Sequence, residues 1–231
     1  MSKIIEKFKF QANSHNSGGM ANKLRKKRMM IFEGFIEQYF SEELKNNKQI
    51  KVLDIGGDIT FWQSMGCKYF DQMDITLLNI DANPFPNLPV NVKAVVGNAL
   101  DMQDISDKEY DICFSNSCIE HVGKEKEWAM MAKEMKRAGK HYFLQTPNRY
   151  FPIEPHFLVP FFQFFPLKLK ASMINKHQLG FWPQGKDWED SLKIADEIKL
   201  LSYRNLRTLF PEAEIKREML GGLTKSYMVY K

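Results

Sequence analysis

In "VLDIGGDITFW", residues 52–62, an apolar run ends in Asp54, passes through Gly56 and Gly57, and meets a second carboxylate at Asp58. Glycine at a strand end lets backbone approach a bound molecule closely, because no Cβ intervenes. A dinucleotide turn would need G-x-G-x-x-G. Counted from Gly56, its second and third glycine positions fall on Asp58 and Phe61, so the pattern fails, and no G-K-[ST] follows to make a P-loop. Asp54 and Asp58 would repel a phosphate and suit an ammonium or sulfonium group. Asp81, in "LLNIDANP", closes a second apolar run, where a carboxylate can accept hydrogen bonds from both hydroxyls of a ribose. "GNAL" (97–100) offers a small polar-to-apolar step for an adenine edge, and "SNSCIEHV" (115–122) follows a further run and opens a helix. Taken singly, Asp54 and Asp81 are equally well explained as turn formers. Taken in order, ribose, adenine and a cationic, phosphate-free tail describe S-adenosylmethionine.

Methyl transfer from a sulfonium is an in-line displacement, and an oxygen acceptor is helped by a base that removes its proton. The sequence offers Glu120, His121, Glu154 and His156. "PNRYFPIEPHF" (147–157) gathers Arg149, Glu154 and His156 on a proline-stiffened segment after an apolar run. His156 is therefore read as the base, with Glu154 orienting it or binding a hydroxyl. His121 is a further candidate, although a helix-end histidine is also an ordinary structural residue. No metal site is read: Cys67, Cys113 and Cys118 form no C-x-x-C pair, which also argues against a disulfide framework and fits a reducing compartment.

These residues need elements to position them. "IKVLDI", "DITLLNID" (74–81), "VKAVVG" (92–97), "YDICFSN" (110–116) and "KHYFLQT" (140–146) are largely apolar runs, as in strands covered on both faces. Helix-forming stretches such as "KEKEWAMMAKEMKRAG" alternate with them, which predicts an α/β fold with a Rossmann-like, doubly wound, mostly parallel sheet. A helix from about Ala21 to Leu44 carries Leu24, Phe32, Phe35, Ile36, Tyr39 and Phe40 as an apolar stripe. "YRNLRTLFP" reads as a helix, and "EIKREML" and "TKSYMVY" as a closing pair of strands. The expected organisation is a helical N-terminal extension over 1–46 and one α/β domain over 47–231, with a cap insertion at about 150–195. Phe61 and Trp62 are read as packing residues at the mouth of the site.

"VLDIGG", "NIDANP", "GNALD" and "YDICFSNSCIEHV" resemble, in order and spacing, the successive motifs of class I S-adenosylmethionine-dependent methyltransferases of the type 11-like group. The resemblance covers roughly residues 50–150. It implies a seven-stranded sheet with an antiparallel last strand, to which "GGLTKSYMVY" is similar. It further implies that Asp54, Gly56, Gly57 and Asp58 hold the methionine end, Asp81 and Ala82 the ribose side, Asn98, Ala99 and Leu100 the adenine, and Ser115 and Asn116 the region beneath the sulfonium. The family usually has a second glycine where Asp58 stands. "TPNRYFPIEPHF" and "GLTKSY" look like bacterial methyltransferases of surface-glycan and related small-molecule pathways, implying O-methylation of a glycan precursor or small molecule. An RNA methyltransferase, a quinone or other small-molecule methyltransferase, and a non-catalytic cofactor-binding module are the alternatives.

The chain has 231 residues, 44% hydrophobic and 26% charged, as for one soluble α/β domain. Its net charge of +5 is concentrated at the start, where Lys3, Lys7, Lys9, Lys23, Arg25, Lys26, Lys27 and Arg28 face Glu6 alone. The run "NKLRKKR" is read first as a solvated helix face; nucleic acid is the less favoured partner, because no aromatics interleave it. "MSKIIEKFKF" has no uninterrupted apolar stretch, so a cytoplasmic, bacterial-type protein is expected. "FLVPFFQFFPL" is too short to span a bilayer, though its phenylalanines would suit a peripheral membrane contact. The oligomeric state is not legible.

Overall fold

The computed structural model describes residues 20–81 and 87–231. Among the described residues fourteen α-helices and strands follow in order: α1 (Met20–Tyr39), α2 (Ser41–Lys45), β1 (Ile50–Ile55), α3 (Ile59–Met65), β2 (Met73–Asn79), β3 (Val92–Val96), β4 (Tyr110–Asn116), α4 (Glu125–Ala138), β5 (Gly139–Pro147), α5 (Leu167–Lys176), α6 (Trp188–Glu197), α7 (Tyr203–Leu209), β6 (Glu214–Leu220) and β7 (Leu223–Tyr230). The strands form one seven-stranded sheet in the order β3-β2-β1-β4-β5-β7-β6. β1 pairs in parallel with β2 and β4, β2 with β3, and β4 with β5. β7 inserts antiparallel between β5 and β6. The turn joining β6 to β7 is Gly221–Gly222, with φ of +57° and +78°, the left-handed backbone that a two-residue hairpin turn needs.

Strand alternation divides the core into two layers. Leu53, Cys113, Tyr142, Leu144 and Val229 face one side, beneath Trp128, Met131 and Met135 of α4 and Leu206 of α7. Val52, Ile75, Ile112, Phe143 and Met228 face the other, beneath Phe32, Phe35 and Ile36 of α1 and Ile59, Trp62 and Met65 of α3. Phe32 sits at the centre of that second layer, with its ring centroid 4.9 Å from Phe114, 5.1 Å from Phe143 and 5.8 Å from Trp62. α1 thus shares a core with the sheet.

Two expectations are corrected. The helix expected to reach Leu44 breaks at Phe40, whose buried ring turns into the core before α2 starts. The second strand ends at Asn79, so Asp81 lies in the bend beyond it and not on the strand. The region after β5 contains two helices, α5 and α6, packed on each other. Phe157, Phe162, Ile174, Ile194 and Leu200 form an apolar cluster there, distinct from the two layers on the sheet. Among the described residues no helix is long and apolar enough to cross a membrane.

Candidate active site

The carboxyl ends of β1, β2, β4 and β5 open on one edge of the sheet, where open α/β sheets take their ligands. Gly56 holds φ +73°, and its amide donates to the Leu78 carbonyl at 2.8 Å, turning the chain sharply off β1. A Cβ on Gly56 would stand 2.6 Å from Cys118 Sγ, and one on Gly57 would overlap the Asp54 carboxylate. Gly56 is therefore required by the approach of the loop after β4, and Gly57 by close packing within the turn itself. Asn79 Nδ2 donates to the Gly57 carbonyl at 3.0 Å and ties the end of β2 to the turn.

The acids of this turn divide their roles. Asp54 is 2% exposed and its Oδ2 accepts a 2.7 Å hydrogen bond from the Trp62 indole. Burial pushes its carboxyl up to about 7, the indole pulls it down, and the charge of Asp58 pushes it up again. Trp62, read as packing, is therefore also a polar partner. Asp58 caps α3, its Oδ1 accepting from the Thr60 amide at 2.8 Å.

Asp81 is exposed beyond β2, and Ala82 lies outside the described residues. Asn98 is exposed and folds its Oδ1 back onto the Leu100 amide at 3.0 Å, while Ala99 and Leu100 rest half-buried against the first core layer. Ser115 is fully buried and donates its Oγ–H to the Ile55 carbonyl at 3.1 Å, so it stitches β4 to β1. Asn116, one residue on, is half-buried and accepts a 3.0 Å hydrogen bond from Arg28 Nη1.

Arg28 was assigned to a solvated basic run; its side chain is only 11% exposed. Its Nε lies 3.0 Å from Glu218 Oε1, a charge contact outside hydrogen-bond angles, and Glu218 also accepts from Ser226 at 2.8 Å. The signal was present: Arg28 falls midway between Leu24 and Phe32, four residues from each, on the buried stripe.

The second constellation is compact. His156 Nδ1 and Glu154 Oε1 are 2.7 Å apart, and the other oxygen of Glu154 accepts from the amides of His156 (2.8 Å) and Phe157 (2.6 Å). Glu154 is 2% exposed, so this loop is wrapped around its carboxylate. Burial alone would lower the His156 pKa; the hydrogen bond and charge of Glu154, joined by Glu120 and Glu197, outweigh it and leave it above the ordinary value. His121 stands edge-on to His156 with ring centroids 5.1 Å apart. Burial and the neighbouring His156 push its pKa down to about 4. Glu120, fully buried, accepts from Thr146 Oγ1 at 2.9 Å, and its carbonyl accepts from the Lys199 amide at 2.8 Å. The loop after β4, the loop after β5 and the segment after α6 therefore converge on one cluster. Thr146 and Glu197 were not singled out in the sequence, because nothing local marks either.

The sheet order and the single antiparallel strand can be set beside known structures. The phosphoethanolamine N-methyltransferase 2 of Haemonchus contortus, solved with S-adenosyl-L-methionine, superposes with a TM-score of 0.52 at 11% identity, over 92% of this chain and 42% of that one. A Nostoc punctiforme protein assigned as an O-methyltransferase gives 0.51 at 9% identity, over 93% and 58%. The chain has the class I methyltransferase fold. A SAM-dependent methyltransferase from Methanosarcina mazei is similar at 16% identity and a TM-score of 0.45, over 85% of this chain and 94% of that one. No family model matches. Over 58 residues the chain is 38% identical to uncharacterized proteins from two strains of Mycobacterium tuberculosis, a match to 25% of this chain and about a fifth of each of theirs.

Proposed function

We propose that the protein transfers the methyl group of S-adenosylmethionine to a hydroxyl of a small molecule or glycan precursor. The observation that carries this reading is the Glu154–His156 pair, held at 2.7 Å at the carboxyl edge of a class I methyltransferase sheet. The backbone of Gly56–Gly57 would hold the cofactor's methionine end, Asp81 its ribose, and Ala99 and Leu100 its adenine. Asp54 acts from below, by fixing the turn through Trp62. Holding donor and acceptor in line supplies up to roughly 7–11 kcal/mol in favourable cases. His156, oriented by Glu154, takes the acceptor's proton as the oxygen attacks the methyl carbon and S-adenosylhomocysteine departs.

Calorimetry with S-adenosylhomocysteine tests the cofactor half; absence of binding sinks the reading. A methyl-transfer screen over nucleotide sugars, lipid-linked glycans, quinones and tRNA tests the acceptor half. In the His156→Ala variant, turnover on the acceptor so found is expected to fall about 10²–10⁴-fold, with S-adenosylhomocysteine affinity unchanged.

A further inference from the structure

Glu120, His121 and His156 each place one ligand atom so that all three lie within 4.8 Å of one another. From these positions we infer that the cluster is a binding site for a first-row divalent transition ion of the zinc or iron class. Two imidazoles and a carboxylate are the donor types such ions take, whereas magnesium and calcium favour oxygen alone. Three protein donors, leaving further positions open, also match a catalytic rather than a purely structural site.

The surroundings of each donor point the same way. Glu154 occupies Nδ1 of His156 at 2.7 Å and so leaves Nε2 as that ring's free nitrogen. A carboxylate behind a histidine in this manner fixes the ring and raises its basicity as a ligand. Glu120 has its Oε2 held by Thr146 at 2.9 Å, while its Oε1 is fully buried and has no hydrogen-bond partner among the described residues. A buried carboxylate oxygen left in this state costs free energy unless a cation or donor faces it. Glu197 Oε1 stands 3.8 Å from His121 Nδ1, outside hydrogen-bond distance but near the ring. His156 and Glu120 thus each have an oxygen partner behind them, and Glu154 and Glu197 add two further acids beside the cluster.

Ion binding stands independently of methyl transfer; only its consequence rests on the function proposed above. In the ion-free protein His156 is the base. In the loaded protein Glu120, His121 and His156 would hold the ion, which as a Lewis acid would acidify the acceptor hydroxyl in place of the His156 base.

The test is a titration of chelator-treated full-length protein with Co²⁺, followed by its visible absorption, and with Zn²⁺ by competition against a chromophoric chelator. One ion per chain is expected, with affinity at least ~10-fold weaker in Glu120→Gln and in His121→Ala, and unchanged in His177→Ala, which removes an exposed histidine outside the cluster. His121 is half-exposed, so its variant tests the site with the least risk to folding, and circular dichroism checks each variant. No stoichiometric binding, or binding that Glu120→Gln and His121→Ala leave intact, overturns the proposal; the cluster is then satisfied by a proton on His156. S-adenosylhomocysteine binding, measured on the same samples, reports separately on the methyl-transfer reading.

Discussion

Asp54 has the environment of a carboxyl kept from water: 2% exposed, one indole donor, and a second acid nearby. Its folded-state value of about 7 lies above the ordinary 3.8, so the folded protein holds this proton more tightly than the unfolded chain does. The linked stability is fully present below about pH 4 and is lost as pH rises to about 7, at up to about 1.4 kcal/mol per pH unit. Asp54→Asn keeps an acceptor for Trp62 and removes the titration, so urea unfolding across that window should show a flatter pH dependence than wild type. Arg28 is the converse case, a buried cation with an acid beside it. Arg28→Met leaves Glu218 buried and deprived of its nearest charge, which is expected to cost about 3–5 kcal/mol. Chemical denaturation would measure this, and a loss below 1 kcal/mol would mean that Lys225, 3.7 Å from Glu218, is sufficient compensation.

Among elements, the β6–β7 hairpin shows how a local signal fixes a non-local one. Gly221 and Gly222 both adopt left-handed φ, and their turn sets the register that places Tyr227 and Val229 in one core layer and Met228 in the other. A Cβ on Gly222 would meet open space, so Gly222→Ala should cost only the conformational penalty, about 1–2 kcal/mol. Thermal unfolding should show that loss with the fold retained. Replacing Gly56 is different in kind, since strain there is compounded by contact with Cys118. α5 and α6 are both absent from the sequence reading, although Asp187 three residues before Asp190 is a legible start signal for α6. Asp187 does cap that helix, accepting from the Asp190 amide at 2.8 Å. The prolines and aromatics around it masked the helical period.

At the scale of the molecule, α1 is the element on which one whole face of the sheet depends. Phe32 is 1% exposed and touches residues of α3, β4 and β5. Phe32→Ala should therefore destabilise by about 3–5 kcal/mol, read as a lower urea midpoint. The five parallel strands, the turn at Gly56–Gly57 and the closing hairpin were legible in the sequence, because apolar runs, glycine turns and hairpin glycines are rules about near neighbours. The stripe on α1 was legible too, except that Arg28 on it looked like one more member of a charge run. Its burial depends on Glu218 and Asn116, 190 and 88 positions away, which no local pattern carries. The same holds for Glu120 and His121 meeting His156. The sequence by itself determined which residue types lie after each strand. Only the tertiary structure decided which of them face each other, because that depends on how the loops after β4 and β5 pack and how the segment after α6 closes over them.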